Sequence, residues 1–271
     1  MPRYPKKALS AALLCAISLD ASAQAFIELD TVPTVLGLGI GAVPDYRGSD
    51  DYTGALAPYF RYSFTGTERY IQLNATELSL NLVNNRGLRF GPVVNYHFGR
   101  DDDIDDKVVK RMSSIDDTVE AGVFGELVWT QGGNPRNRFI LGLTLLADVG
   151  GEADGFRARL NGRYWQQVSP AIDVHVGGGL TYADSKYTRH YFGVRPSNVG
   201  TSGLPLYEAG SGLNEYYATL GAVAYFNRNW IGMAGVRLSQ LSGDAKDSPI
   251  VSQRGDKFQF IGGIGIGYMW R

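Results

Sequence analysis

The sequence predicts an all-β fold: an antiparallel transmembrane β-barrel of twelve strands, with ten strands as the alternative. The main observation is that apolar and polar residues alternate with a period of two in many successive runs, as they do in β-strands. The composition agrees, because 35 glycines, 12% aromatic residues and only 20% charged residues suit a β-rich chain. No window of 18 or more apolar residues occurs, so no helix is predicted to span a bilayer.

The first 23 residues have the order of a cleaved secretory signal peptide. Three basic residues precede an apolar segment over residues 8–19, and small residues up to Ala23 form a cleavage site, with cleavage after Ala25 as the alternative. The single cysteine, Cys15, lies in this segment, so the mature chain is predicted to contain neither disulfides nor thiolate metal sites.

Cleavage removes three of the 26 basic residues and one of the 27 acidic residues, which leaves a net charge of about −3. Such a charge gives no reason to expect nucleic acid as a partner. Residues 24–33 show no clear period and are predicted to be a periplasmic segment or an unrecognised first strand. Residues 34–271 are predicted to form the barrel as a single domain.

The first alternating runs contain two irregularities. In the first run, apolar residues from Leu36 onward alternate with glycines, so that the two sets lie on opposite faces of the strand. The run ends at Pro44. In the second run, Pro58 is unfavourable because proline donates no hydrogen bond to a neighbouring strand. Over residues 69–83 the apolar parity changes near Thr76, which predicts either a β-bulge or a strand break.

Eleven alternating runs are visible in the whole sequence, whereas single-chain bacterial barrels have an even number of strands. A break within 69–83, or a strand within 24–33, would supply the twelfth. The segments 100–117, 185–213 and 242–255 are predicted to be long extracellular loops, the first of them exposed, and the connections at the other end are predicted to be tight periplasmic turns.

The last run, residues 256–271, has a continuous apolar face with aromatic residues at both of its ends. Aromatic rings favour the membrane–water interface, so this face is predicted to contact lipid. The predicted interface aromatics are Phe258, Phe260, Tyr268 and Trp270.

The opposite faces of the strands carry polar residues that we predict to line the lumen. These residues are Arg61, Arg89, His97, Glu120, Glu126, Asp148, Arg157, Arg159, Arg163, Asp173, His175 and Arg237. Arg157, Arg159 and Arg163 share one face of one strand and need carboxylates nearby. The candidate partners are Glu77, Glu120, Glu126, Asp148 and Asp173. A salt-bridged plug is favoured over an anion-selective constriction, because acidic residues nearly balance the arginines.

Two further patterns could belong to a catalytic site or a metal site. Asp173 and His175 share a face and could orient an imidazole, but no strand serine is singled out as a nucleophile. The acidic run 101–106 could bind a hard cation, yet it lacks the glycine and glutamate of a calcium loop, so a solvated loop is favoured. We predict no catalytic site, no metal site and no cofactor, and hence no enzyme.

Several segments resemble the MipA/OmpV family of outer-membrane proteins, the MltA-interacting proteins. The segments are GLGIGAVPDYRGSDDY at 37–52, LRFGPVVNYHFGR at 88–100, YFGV at 191–194, SGLPLYEAGSGL at 202–213 and SGDAKDSPIVSQRG at 242–255. Together they extend the resemblance over about residues 34 to 270. Several of them are loop sequences that packing alone would not dictate, so the resemblance is specific.

The resemblance implies a β-barrel in the outer membrane of a Gram-negative bacterium, in contact with lipid and lipopolysaccharide. It further implies a scaffold that joins a lytic transglycosylase to a penicillin-binding peptidoglycan synthase. A small passive channel for solutes is the alternative, since some members are discussed as porin-like. One departure is the end of the chain, where Trp270-Arg271 puts the aromatic residue one place earlier than barrel proteins usually have it.

Overall fold

The computed structural model describes residues 34–270. The predicted signal peptide, the segment 24–33 and Arg271 lie outside the described residues. The described chain forms a closed barrel of twelve antiparallel strands, in which β1 pairs with β12 and every other strand pairs with its neighbours in sequence. The predicted fold class is therefore confirmed.

The strands are of uneven length, and two of them are short. They are β1 (Thr34–Pro44), β2 (Tyr52–Ser63), β3 (Tyr70–Asn74), β4 (Glu77–Asn81), β5 (Leu88–His97), β6 (Thr118–Gln131), β7 (Asn134–Asp148), β8 (Phe156–Ser169), β9 (Ile172–Ala183), β10 (Gly212–Tyr225), β11 (Trp230–Leu241) and β12 (Phe258–Trp270). Four short helices occur in the loops: α1 (Ser185–Phe192), α2 (Pro196–Ser202), α3 (Gly243–Asp247) and α4 (Pro249–Ser252). None of the helices among residues 34–270 is long and apolar enough to cross a membrane.

The phase change near Thr76 is a hairpin turn and not a bulge. The chain reverses at Ala75 and Thr76, so that Asn74 pairs with Glu77 and the predicted single run becomes β3 and β4. Ala75 takes a positive φ of 50°, which the tight reversal requires. This break supplies the twelfth strand.

Pro58 lies where the ladder between β2 and β3 ends. The β2–β3 pairing runs from Tyr59 to Ser63, and the carbonyl of Pro58 accepts a hydrogen bond from the Ala75 amide at 2.8 Å. The nitrogen of Pro58 points to the same side of β2 as its carbonyl, at a level beyond the last paired residue of β3. A residue without an N–H therefore costs no ladder hydrogen bond here.

The outer surface carries the apolar residues of every strand. On β12, Phe258 is 56% and Trp270 46% exposed, and Tyr268 lies between the rings of Trp230 and Trp270. Exposed aromatic residues mark both rims of this apolar surface, as expected at the two membrane interfaces. They include Tyr62, Trp129, Phe139, Trp230 and Trp270 at one end, and Tyr52, Tyr96, Phe156, Tyr182, Tyr216 and Phe258 at the other.

The two ends of the barrel differ in their connections. One end has turns of two to six residues, whereas the other has, apart from the β3–β4 hairpin, loops of seven residues or more, and these contain all four helices. Short turns are periplasmic and long loops extracellular in barrels of this class, so the orientation agrees with the one predicted. The predicted loop 100–117 is exposed only in part, because Ile104, Val109, Met112 and Ile115 are buried against other loops while most of its polar residues are exposed.

Candidate functional site

Three layers of side chains fill the interior of the barrel. An apolar layer lies nearest the periplasmic turns, a charged layer occupies the middle, and the extracellular loops fold into the mouth. We call them the periplasmic plug, the charged layer and the extracellular cap. Barrels of this size can be filled by side chains in this way.

The periplasmic plug consists of inward-facing residues near the periplasmic strand ends. Its largest member is Trp165, which is 1% exposed and lies between the Arg138 guanidinium, 5.0 Å from its ring, and the His175 ring at 4.6 Å. The other members are Val35, Tyr59, Val128, Ile140, Val223, Ile231, Met233 and Met269. This mainly apolar layer gives an ion little to replace its hydration shell.

The charged layer contains the arginine ladder of β8, which consists of Arg157, Arg159 and Arg163, together with glutamates from facing strands. The Arg157 guanidinium donates to both oxygens of Glu120, at 2.8 and 2.5 Å. Arg159 donates to Glu77 at 2.8 Å. The third arginine, Arg163, donates to Glu126 at 3.0 Å. Each ladder residue thus meets a glutamate that was among its candidate partners.

The direction of the strands explains this match. Strands β6 and β8 are both antiparallel to β7 and therefore run in the same direction. Arg157 and Arg163 are six residues apart on β8, and their partners Glu120 and Glu126 are six apart on β6. Equal spacing on two strands of the same direction brings both pairs together at once.

Other residues predicted for the lumen join the same layer. Arg89 donates to the second oxygen of Glu126 at 3.1 Å. Arg61 lies with its guanidinium 3.8 Å from the Tyr70 ring centroid and donates to Gln72 at 3.1 Å. The remaining predicted arginine, Arg237, is paired with Glu215.

The predicted Asp173–His175 arrangement does not resemble a catalytic pair. The Asp173 carboxylate accepts hydrogen bonds from Arg136 at 2.9 Å and from the Tyr225 hydroxyl at 3.0 Å, while His175 packs on Trp165. His97 is fully buried, with its Nδ1 3.6 Å from the Glu120 carboxylate.

Two acidic sites predicted from the sequence lie outside the charged layer. Asp148 is at the extracellular end of β7, where its carboxylate accepts hydrogen bonds from Thr118 and from backbone amides of residues 150–154, and does not join the arginine ladder. Asp101, Asp102 and Asp103 are exposed, with carboxylate oxygens within 4.8 Å of one another.

Sequence reasoning missed three charged residues of the interior. Arg47 lies in the 45–51 loop, where no alternation could indicate its direction, and it donates to Glu215 at 3.2 Å. Glu215 lies directly after a register shift on β10 and one residue before the predicted run that starts at 216, so it was not assigned to a strand. Arg136 belongs to β7, whose first residues were predicted to be a turn.

The extracellular cap is built around α1. Asp184 caps this helix by accepting a hydrogen bond from the Tyr187 amide, and the buried rings of Tyr187, Tyr191 and Phe192 fill the mouth. The Tyr187 hydroxyl accepts a hydrogen bond from Arg47 at 2.8 Å, which ties the cap to the charged layer.

Ionisable groups strengthen the cap at neutral pH. Burial opposes ionisation of Asp106, but the hydrogen bonds from Arg254 and from the backbone amides of Val108 and Val109 together outweigh it, so the pKa of Asp106 is lowered. Burial also disfavours the charged form of His190, so its pKa falls to about 4 and the ring is neutral at pH 7. The nearby Arg195 adds to this effect.

Within the charged layer, the side chains enclose a cavity of about 90 Å³. Arg159, Arg163 and Arg237 line it together with Glu77, Glu126 and several hydroxyl and amide groups. The plug lies on its periplasmic side and the cap on its extracellular side.

A family model described as MltA-interacting protein MipA matches residues 36–270. The chain belongs to the MipA family. The resemblance seen in the loop motifs is thereby confirmed. A relative from Escherichia coli strain K12, which carries the name of an outer membrane protein, YiaT, agrees with the MipA match. It is 25% identical over 243 residues, which cover 84% of this chain and 89% of the relative.

Solved barrels are similar to the MipA-family chain at low sequence identity. The NanC porin is 10% identical with a TM-score of 0.47, and covers 88% of this chain and 100% of its own. An outer membrane channel from Pseudomonas putida F1 is 12% identical with a TM-score of 0.44, and covers 91% and 98%. The protein is a MipA-family β-barrel of the Gram-negative outer membrane.

Proposed function

We propose that this MipA-family protein is an outer-membrane scaffold that binds peptidoglycan-remodelling enzymes at its periplasmic face. The observation that carries the proposal is the filled lumen. A solute would have to displace both the periplasmic plug and the extracellular cap, and the cavity of about 90 Å³ between them is far smaller than the water-filled lumen of a porin. A barrel filled in this way is suited to presenting a rigid surface.

The charge of the periplasmic turns supports a partner with an acidic contact surface. Arg69, Arg86 and Arg228 are exposed on these turns, with Glu68 beside them. Opposite charge across an interface favours encounter and correct orientation of the partners. The family description, an MltA-interacting protein, supports a lytic transglycosylase as the partner, and the penicillin-binding synthase follows from the family resemblance.

Binding to purified enzymes tests the scaffold. Immobilised full-length protein in detergent should retain a lytic transglycosylase or a penicillin-binding synthase, with a dissociation constant that weakens as salt increases. Reversing the charges with Arg69→Glu, Arg86→Glu and Arg228→Glu should reduce binding strongly.

The matched control reverses three exposed basic residues of the extracellular end, with Lys107→Glu, Lys110→Glu and Arg189→Glu, and should leave binding unchanged. No retention of either enzyme class by the wild-type protein would refute the scaffold. Equal losses in the two triple variants would refute the assigned face.

The second candidate is a channel that opens when the cap moves. The observation in its favour is the polar, arginine-rich middle of the barrel, since polar interiors are typical of conducting barrels. Conductance in planar bilayers distinguishes the two candidates. We expect no steady open channel from the wild-type protein, whereas regular unit conductance steps would favour the channel over the scaffold.

A further inference from the structure

The charged layer contains more arginines than carboxylates. Glu126 pairs with two guanidinium groups at once. One of its oxygens accepts a hydrogen bond from Arg89 at 3.1 Å, and the other accepts one from Arg163 at 3.0 Å. Arg159 has Glu77 as its own partner at 2.8 Å. These residues form one half of the layer, in which three arginines share two carboxylates.

The other half of the layer repeats the pattern. Both oxygens of Glu215 are used, one by Arg47 at 3.2 Å and the other by Arg237. Together the two halves contain five arginines and three glutamates, so these residues carry two positive charges in excess. These side chains are between 7% and 24% exposed, so bulk water screens the excess only weakly.

Arginine cannot remove this excess by losing a proton, because its pKa lies far above physiological pH. A buried charge without a counter-charge is costly, and the cost is reduced when an ion of opposite charge binds beside it. An anion in the central cavity is the simplest such counter-charge.

Donors of the right kind face the cavity. Arg159 donates through Nη2 alone, to Glu77 and weakly to Thr144, and Arg237 donates through Nη2 to Glu215. The Nε and Nη1 atoms of both arginines have no hydrogen-bond acceptor within the described part of the chain. Thr219, which also lines the cavity, has a hydroxyl with no partner among those residues. A guanidinium group binds the oxygens of a planar or tetrahedral oxyanion through two parallel N–H bonds.

We propose that the central cavity binds one small oxyanion, of the sulfate, phosphate or carboxylate class, between Arg159 and Arg237. The volume of about 90 Å³ exceeds several times what a single water molecule needs, so it accommodates an anion of this size. The bound anion neutralises the excess charge and stabilises the folded barrel. The plug and the cap enclose the site, so the anion exchanges slowly.

The test compares thermal unfolding after refolding in sulfate, phosphate or chloride at equal ionic strength, with a large organic anion as the reference. We expect sulfate and phosphate to raise the unfolding temperature saturably. Arg159→Gln should weaken the apparent affinity for sulfate about tenfold or more, the effect of one charge-assisted hydrogen bond. Glu77→Gln should strengthen the apparent affinity for sulfate, because this change keeps Arg159 and removes the negative charge beside it.

Arg228→Gln, in an exposed periplasmic turn, is the control and should behave as wild type. The opposite signs expected for Arg159→Gln and Glu77→Gln distinguish the site from a general loss of stability. If Arg159→Gln does not fold, Glu77→Gln together with anomalous scattering from selenate in wild-type crystals decides the question. Equal stabilisation by chloride and sulfate, or no saturable shift in the wild-type protein, would overturn the oxyanion site.

Discussion

The Glu120–Arg157 pair should be far more important for stability than an exposed pair of the same type. Its side chains are 2% and 7% exposed, and the Glu120 carboxylate also accepts a hydrogen bond from Asn95 at 2.7 Å. Glu120→Gln keeps the shape of the side chain but leaves Arg157 charged and buried. Removing one partner of a buried ion pair costs about 3–5 kcal/mol, so we expect a loss of this size in the free energy of unfolding.

The control is Glu68→Gln, which breaks the exposed pair with Arg86. The side chains of this pair are 45% and 90% exposed, and an exposed ion pair contributes at most about 1 kcal/mol. The double variant Glu120→Gln/Arg157→Gln removes both buried charges and should recover most of the lost stability.

Reversible urea unfolding in lipid vesicles, followed by tryptophan fluorescence, measures these differences through the shift of the midpoint at constant slope. The four tryptophans of the chain provide the signal. Two results would refute the reasoning. One is a loss for Glu120→Gln that is no larger than for Glu68→Gln, and the other is a double variant as unstable as the single one.

Three further predictions concern the cap, the short hairpin and the end of the chain. The low pKa of His190, about 4 against 6.5 in the unfolded chain, means that the unfolded state binds more protons between these values. The protection of α1 against hydrogen exchange, measured relative to the unfolded chain at the same pH, should therefore fall as the pH falls from about 6.5 to 4, and equal protection at pH 7 and 5 would contradict this. Ala75→Gly should raise the free energy of unfolding by about 1 kcal/mol, because glycine tolerates the positive φ. Ala147→Gly, within a regular strand, should lower it, and the same sign for both would count against the strain. Trp270→Ala should reduce the yield of protein in the outer membrane while deletion of Arg271 leaves it unchanged, and equal yields for wild type and Trp270→Ala would place the assembly signal elsewhere.

Local alternation was sufficient to predict the parity of most strands. On β12, the aromatic and aliphatic face is on the outside as expected, with Phe258 and Trp270 exposed and Met269 fully buried. The parity of a strand depends only on the pleat of its own backbone, which is why a single run of sequence reveals it. The pattern is less informative where the chain leaves this period, as at Ala75 and at the register shift before Glu215.

The partners in the lumen depend on which strands are close in space. The sequence indicated that Arg157, Arg159 and Arg163 need carboxylates, and Glu77, Glu120 and Glu126 were among the five candidates. The assignment of each glutamate to its arginine follows from strand direction and register, which are properties of the closed sheet.

By itself, the sequence determined the fold class, the lipid-facing sides of the strands and the family, since each depends on local alternation or on loop motifs. Only the tertiary structure decided that the lumen is filled and that Arg47 and Arg237 share one carboxylate. Closure of the barrel brings residues from distant strands and loops into one small volume. The plug, the excess of positive charge and the cavity beside it are each formed by residues from several strands and loops. None of them can therefore be recognised in a single segment of the sequence.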